Sequence, residues 1–361
     1  MKKMMIVLLM AVAALAFAAN NATVTTTGSN NDADIDQVGS NTAGVSQTGD
    51  YNLTDVDQMG TNSSSVTQSS IVGGTAGKGT KATVNQNGAG NASIITQDRS
   101  GGQQGNISQA TNVQTGDNNL ATINQTGYYQ GSNKSSVVQT GVASGVGNEA
   151  MVNQMGYGNN WSVEQTGDEN YALQQANSTT HSGTTNKIEQ NGFRNDAYQY
   201  TSGSDAMKAT ITQITGVTDN YAIQTQAGLK AEAVINQFSN NNQAVQEQYH
   251  GSYYYNGVYA RQHYAEITQT GGDNNYAKQY QDETVSDVWA NSRNSSTIYQ
   301  NGGDNSATVS QFDGLSVGDV TQTGNWNQGT IEQHGLNNNA NISQTGDHNT
   351  ASVSQADGVV I

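Results

Sequence analysis

The sequence contains neither cysteine nor proline. Without cysteine the chain has no disulfide framework, so its stability has to come from packing and hydrogen bonding. Average usage would give roughly eighteen prolines in a chain of this length, and a proline inside a sheet removes a backbone hydrogen bond. The absence of proline therefore favours long, uninterrupted strand pairing.

Charged and hydrophobic residues are also scarce. Only 12% of the residues are charged and 34% are hydrophobic, and the formal net charge is -16. An acidic chain lacks the basic contacts that nucleic acids and anionic membranes require, so neither is expected as a partner. A polar composition of this kind is common in disordered chains. The argument for an ordered fold therefore rests on a regular repeat.

Residues 1–18 are expected to form a secretory signal peptide. Lys2 and Lys3 precede an apolar run from Met4 to Leu15, and Ala16-Phe17-Ala18 supplies small residues for cleavage. The run is too short to span a membrane, so export without stable membrane insertion is predicted. Removal of the two lysines changes the formal charge from -16 to -18.

Residues 31–68 set the pattern of the chain. An asparagine, a small residue, an aliphatic residue and a glutamine recur at every second position, and a glycine usually follows. Positions two apart share one face of a strand, and glycine suits the turn between strands. The pattern predicts short strands joined by tight turns. Its first copies run from Asn31 to Gln37, from Asn41 to Gln47 and from Asn52 to Gln58.

The middle of the chain indicates that two strands make one turn. Glutamine replaces the aliphatic residue in every second frame, at Gln174, Gln199, Gln224, Gln246 and Gln279, and the frames between them keep isoleucine. We therefore predict an all-β solenoid with two facing parallel sheets, Asn/Gln ladders and an Ala/Val/Ile core. About 26 frames give about 13 turns of two strands, and a rod of about 60 Å at roughly 4.8 Å per turn.

Stacked amides are expected to form ladders, because asparagine and glutamine can hydrogen-bond to identical residues one rung above and below. A buried amide without such a partner would cost a few kcal/mol. The residues assigned to ladders are Asn31, Gln37, Asn41, Gln47, Asn52, Gln58, Gln174, Gln199, Gln224, Gln246 and Gln279.

The repeat array is assigned to residues 31–355, between a short segment at 19–30 and a tail at 356–361. No capping helix is recognisable, so both ends are expected to expose strand edges that can add another chain. Insertions interrupt the frame near residues 69–81, 98–107, 249–264 and 282–293.

The tyrosine-rich insertion at 249–264 is the candidate partner-binding loop. It clusters aromatic rings with a guanidinium group, which suits stacking and hydrogen bonding to a polysaccharide or a protein. A surface loop without a ligand is the alternative interpretation. The candidate contact residues are Tyr253, Tyr254, Tyr255, Tyr259 and Arg261.

The sequence carries no recognisable motif for catalysis, cofactor binding or metal binding. Asp32, Asp34 and Asp36 resemble the beginning of a calcium loop, but Gln37 and Ala43 occupy the positions that require glycine and glutamate. The five histidines lack the spacing of metal ligands. A nucleophile elbow is also absent. We therefore predict that the chain is not an enzyme and uses no cofactor.

The frame Gln-x-Gly-x-x-Asn-x-Ala-x-Val-x-Gln resembles the curlin repeat of bacterial curli subunits. It recurs at Gln37 to Gln47, Gln154 to Gln165 and Gln344 to Gln355, and the likeness covers nearly all of the mature chain. The resemblance implies export through an outer-membrane secretion pore with periplasmic chaperones, followed by assembly with itself and other curlin-type subunits. The product would be an extracellular amyloid fibre on the cell surface that supports biofilm matrix and adhesion. The chain could serve as its major, minor or nucleating subunit.

Two other functions fit a thin β-rod. A monomeric surface adhesin would present the tyrosine-rich loop on a stalk. An ice-binding solenoid would need a flat outward column of threonine, and no such column persists, since the outward pairs include Leu53/Asp55 and Lys187/Glu189. A fibre subunit is therefore the preferred prediction.

Overall fold

The strands of this chain follow from side chains that alternate between a buried and an outward face. The computed structural model describes residues 19–70, 79–99, 108–127, 132–142, 145–176, 183–250, 263–283, 294–312 and 314–356. Within these ranges the regular elements are 25 β-strands, and there is no helix that could cross a membrane. The predicted signal peptide, most of the predicted tyrosine-rich loop and the last five residues lie outside them.

The strand bounds are β1 Asn21–Thr27, β2 Asp32–Gly39, β3 Thr42–Thr48, β4 Leu53–Ser69, β5 Thr80–Asp98, β6 Ser108–Thr115, β7 Leu120–Thr126, β8 Lys134–Thr140, β9 Glu149–Met155, β10 Asn160–Asp168, β11 Tyr171–Ala176, β12 Thr185–Phe193, β13 Asp196–Asp205, β14 Lys208–Thr218, β15 Tyr221–Leu229, β16 Glu232–Gln237, β17 Gln243–His250, β18 Tyr264–Gly271, β19 Tyr276–Glu283, β20 Ser295–Gly302, β21 Ser306–Phe312, β22 Val317–Thr323, β23 Gln328–His334, β24 Asn339–Thr345 and β25 Thr350–Ala356.

The strands coil into two facing stacks, in which all pairing is parallel. Stack A contains β1, β3, the second halves of β4 and β5, and the odd-numbered strands from β7 to β25. Stack B contains β2, the first halves of β4 and β5, and the even-numbered strands from β6 to β24. Stack A therefore has fourteen rungs and stack B has thirteen. The predicted all-β solenoid with two parallel sheets is confirmed.

The core lies between the two stacks and consists of alanine, valine and isoleucine from both. The inward aliphatic positions stay in register from rung to rung, as in Val163↔Ile188↔Ile211. Full burial of each such side chain contributes about 1.5–3 kcal/mol. Because one turn holds only a few of them, neighbouring turns have to stack before any turn is stable.

Strand β1 is a rung that the sequence pattern did not reveal. It lies in the segment 19–30 and pairs with β3 in the common frame, with Val24 beside Val45. It was missed because Thr26 stands where most frames have glutamine, as its pairing with Gln47 shows. The rod thus includes a rung ahead of Asn31.

The two corners of the coil differ in regularity. The segments that lead from a strand of stack A to the next strand of stack B range from two residues to the thirteen of 251–263. At the opposite corner, from stack B to stack A, the longest segment is 141–148 and the others have five residues or fewer. At this corner Gly167 has a φ of 104°, and a Cβ there would collide with the carbonyl oxygen of Gly192 in the next rung.

Candidate functional site

An unbroken asparagine ladder runs the length of stack A at the tight corner. The Oδ1 atom of each asparagine accepts a hydrogen bond from the backbone N–H of the asparagine one rung later, at 2.9–3.3 Å. The ladder satisfies a donor and an acceptor in every rung between its two ends, each of which would cost about 1–3 kcal/mol if buried without a partner. Its members are Asn20, Asn41, Asn62, Asn91, Asn119, Asn148, Asn170, Asn195, Asn220, Asn242, Asn275, Asn305, Asn327 and Asn349.

The corresponding column of stack B is mixed. Asn31 and Asn52 form its first step, since the Nδ2 of Asn52 donates to the Oδ1 of Asn31 at 3.1 Å. Further along, threonine, serine, methionine, alanine and histidine occupy some rungs, for example Thr184 and Met207. This column follows the corner that carries the long connections, so regular asparagine stacking goes together with the tight turn.

An unbroken glutamine ladder runs the length of stack B. The Nε2 atom of each glutamine donates to the Oε1 atom of the glutamine one rung later, at 2.7–3.0 Å. In most rungs Nε2 donates its second hydrogen to a backbone carbonyl of the facing stack. For example, Gln190 Nε2 donates to the carbonyl oxygen of Tyr171 at 3.0 Å. The ladder thus also joins the two stacks. Its members are Gln37, Gln58, Gln86, Gln114, Gln139, Gln165, Gln190, Gln213, Gln237, Gln269, Gln300, Gln322 and Gln344.

Stack A has two shorter glutamine ladders in the equivalent column. One begins with Gln47, which donates to Gln68 at 3.0 Å, and the other ends with Gln333 donating to Gln355 at 2.9 Å. Ala176 and Thr201 occupy the two rungs between them. The column is therefore interrupted in the middle of the rod.

A third ladder lies one position further into the core of stack A. It consists of the five glutamines that replace the aliphatic residue of the frame. They occupy consecutive rungs, and the Nε2 of each donates to the Oε1 of the next at 2.9–3.0 Å. Val152 and Val309 occupy the rungs before and after it. At its first rung the buried Oε1 of Gln174 has no hydrogen-bond partner. The members are Gln174, Gln199, Gln224, Gln246 and Gln279.

The ladders give the rod a direction. In every glutamine ladder the lower-numbered rung donates, so no rung of stack B among the described residues donates to the Oε1 of Gln37. At the other end Gln344 and Gln355 each donate only to a backbone carbonyl, at 2.9 and 3.0 Å. Their second amide hydrogen is left for a further rung. In the glutamine ladders, one end of the rod therefore offers the acceptor of Gln37 where the other end offers the donors of Gln344 and Gln355.

The outermost rungs also expose their core side chains. Val24 in β1 is 47% exposed, whereas Val163 in the interior of the rod is 1% exposed. The core side chains of β2 and β25 are only partly buried; they are Ala33, Ile35, Ala351 and Val353. The two ends of the described rod thus combine apolar surface with strand edges.

The outer face of stack A carries an aromatic cluster that the sequence pattern did not single out. Tyr198 lies 5.4 Å from Tyr171 and 5.6 Å from Tyr221, centroid to centroid. Partial burial, together with Asp196 and neighbouring tyrosines, raises the pKa of Tyr198 to about 12. Pairs of this kind contribute about 0.5–1.5 kcal/mol each. The cluster could have been predicted from the sequence, because tyrosine occupies outward positions in successive frames of stack A.

Four aspartates lie together on the outer face near the N-terminal end of stack B. Asp34 is in register with Asp55, and Asp36 with Asp57. The pKa of Asp57 is raised by partial burial and then by the charges of Asp55, Asp36 and Asp34. Among the described residues, no group of three or more histidine, cysteine or acidic side chains could hold a metal ion. The charges of these four carboxylates therefore repel one another.

Most of the predicted partner loop lies outside the described part of the chain. All five of its contact residues lie outside the described residues: Tyr253, Tyr254, Tyr255, Tyr259 and Arg261. Its ligand binding stays a prediction. The amide ladders and the open rod ends are therefore the candidate functional features.

Comparison with known proteins found a family that matches parts of the chain. Three stretches match the family described as Curlin associated repeat, at residues 17–39, 318–346 and 330–356. The first includes β1 and β2, and the other two lie within the last four strands and their turns. No curated protein matches the chain. At these three places the chain is similar to curlin-associated repeats, the family that its repeated frame resembles.

Proposed function

We propose that this protein is an exported structural subunit that assembles end to end into curli-like extracellular fibres. The observation that carries the proposal is the pair of open rod ends. Partly exposed core residues there, such as Ile35 and Val353, occupy the same frame position as the fully buried valines and isoleucines of the interior. A second copy added at either end would bury them, as an interior rung does.

The ladders support the same arrangement. Because donors and acceptors are separated between the two ends, a second copy can extend a glutamine ladder only if it joins head to tail. Joining head to head would bring donor against donor. The fibre is therefore expected to be polar, with every subunit in the same direction along its axis.

The remaining roles follow from the curlin-associated repeats. The proposed partners are further copies of this chain, other curlin-type subunits, an outer-membrane secretion pore and periplasmic chaperones. The proposed location is the cell surface, in a fibre that supports biofilm matrix and adhesion. Because such repeats build structural proteins, the proposed role involves no catalysis.

Electron microscopy of protein refolded from denaturant tests the proposal. Wild-type protein should form thioflavin-positive fibres, and preformed fibres should shorten the lag phase. The variant Val353→Lys places a charge in the core position of β25 and should slow elongation at least tenfold. The control Ser352→Lys places the same charge on the outward face of the strand and should elongate almost normally. Stable monomers from wild-type protein would contradict the proposal and favour an adhesin.

A further inference from the structure

The described rod has an odd number of rungs. The strands alternate between the stacks, beginning and ending in stack A with β1 and β25. Each rung lies half a rung spacing further along the axis than the one before, since two rungs make one turn. After β25, the next rung of the coil would therefore belong to stack B.

A second copy that simply repeated the first in the same orientation would not continue the coil. Its β1 would lie on β25 in stack A, but in stack B its β2 would lie two rung spacings from β24, about 9.6 Å. Hydrogen bonds cannot span this distance. An empty half-turn lined by Ile35 and Ile342 would remain at every junction, and the Oε1 of Gln37 and the second Nε2 hydrogen of Gln344 would gain no ladder partner there.

We propose that successive subunits are instead related by a half-turn about the rod axis. The rotated β1 then lies on β24 and continues stack B, and the rotated β2 lies on β25 and continues stack A. The pairing stays parallel, because the chain reverses direction between the stacks and the half-turn reverses it again. This inference rests on the proposed end-to-end assembly.

The side chains of the two ends match in this arrangement. Both ends follow the same frame, so the partly buried Ala351 and Val353 of β25 meet Ala33 and Ile35 of β2, which are also partly buried. The free Nε2 hydrogen of Gln355 faces the free Oε1 of Gln37. In stack B, Ile342 meets Val24 of the rotated copy in the same way, and every apolar end residue named above is covered.

The half-turn sets the fibre symmetry. Twenty-seven half-spacings advance each subunit by about 65 Å, at roughly 4.8 Å per rung spacing. Subunits with the same orientation about the fibre axis recur only at every second position, after about 130 Å. The aromatic cluster around Tyr198 would then alternate between the two sides of the fibre.

Paired cysteines distinguish the two arrangements, and the native chain has no cysteine of its own. In the half-turn arrangement Ser352 lies beside Asp34 of the next copy, and in the unrotated arrangement it lies beside Thr23. Neighbouring rungs are about 4.8 Å apart, within the range of a disulfide. The double variants S352C/D34C and S352C/T23C are assembled under reducing conditions, checked for fibres by electron microscopy and then oxidised.

The expected result is a ladder of covalent multimers on a non-reducing gel from S352C/D34C and at least tenfold less multimer from S352C/T23C. Helical reconstruction of wild-type fibres should give a subunit rise of about 65 Å with a half-turn. Multimers from S352C/T23C, from both variants or from neither, in fibres that do form, would overturn the half-turn. Absence of fibres from wild-type protein would instead overturn the proposed function, and the half-turn with it.

Discussion

Single amide side chains hold neighbouring turns together in this protein, and their value depends on what lies one rung above and below. Gln224 accepts from Gln199 and donates to Gln246, at 3.0 and 2.9 Å. Gln174 has a glutamine on one side only, with Val152 on the other. The same residue type is therefore expected to respond differently to the same substitution.

Gln224→Val should destabilise the protein more than Gln174→Val. Replacement in the middle of the ladder leaves a donor on Gln199 and an acceptor on Gln246 without partners, which should cost about 2–4 kcal/mol. Both replacements also remove a hydrogen bond to a carbonyl of the facing stack. Within the ladder, replacement at the first rung only moves the unpaired Oε1 from Gln174 to Gln199, so its cost should be at least 1 kcal/mol smaller.

Urea unfolding of freshly refolded monomer measures both effects. Thr225→Val, on the outward face of the same strand as Gln224, is the surface control and should shift the midpoint little. Equal midpoints for Gln224→Val and Gln174→Val would contradict the ladder argument.

The aspartate cluster predicts a gain of stability in mild acid. The folded-state pKa of Asp57 is raised, so the folded protein binds this proton more readily than the unfolded chain. The unfavourable contribution of its charge is present above the folded pKa and disappears as the pH falls through it. The urea midpoint of wild type relative to Asp57→Asn should therefore rise between pH 7 and about 4.

Asp319→Asn provides the comparison for this pH dependence. Asp319 faces outward in β22 between Thr297 and Asn341, which are uncharged. Its removal takes away one outward carboxylate without relieving repulsion from a carboxylate in a neighbouring rung. A difference between wild type and Asp57→Asn that does not change with pH would refute repulsion within the cluster.

At the scale of strands and turns, the two corners have different requirements. The corner into stack A keeps the turn that positions the asparagine ladder, and the left-handed backbone there leaves no room for a side chain at Gly167. The corner into stack B accommodates connections of many lengths. Its asparagine column is correspondingly mixed.

Gly167→Ala should destabilise the protein by about 1–3 kcal/mol, because the residue has a positive φ and the new Cβ meets the carbonyl of Gly192. Gly44→Ala is the matched control, since a Cβ at this strand position meets nothing within 4 Å. It should be neutral or stabilise the fold by up to about 1 kcal/mol. Thermal unfolding followed by circular dichroism compares the two; a similar loss in both variants would argue against the close approach at the corner.

The strands could be predicted from the sequence because a buried face imposes a period of two over the whole array. The two-strand turn could also be predicted, since glutamine and isoleucine alternate at the same frame position from Gln174 to Gln279. Strand β1 escaped prediction because Thr26 breaks the frame locally. The aromatic cluster escaped because it depends on which frames become neighbours: Tyr171 and Tyr198 are 27 positions apart in sequence and adjacent in stack A.

At the scale of the whole molecule, the proposed assembly makes the junction between subunits depend on whether the number of rungs is odd or even. Deleting residues 327–337 removes β23 with one turn, keeps the frame and leaves an even number of rungs. The last two strands then change stacks, and the next subunit continues the coil without rotation. The axial repeat of the fibre should fall from two subunits to one, or from about 130 Å to about 62 Å.

Deletion of residues 305–326 is the control for this experiment. It removes two rungs, β21 and β22, so the number stays odd and the half-turn should persist, with the two-subunit repeat shortened by about 10 Å to about 120 Å. Helical reconstruction of both fibres gives the answer. An unchanged symmetry after loss of a single rung would contradict the dependence on parity.

The contrast between the two corners also bears on what the rod can carry. Long connections fall at the corner into stack B, so extra sequence placed there leaves the asparagine ladder and the tight turns of the other edge untouched. A foreign peptide inserted at this edge would be displayed at regular intervals along an assembled fibre. With subunits alternating by a half-turn, such cargo would form two rows on opposite sides, which suits the molecule to serve as a scaffold for peptide display.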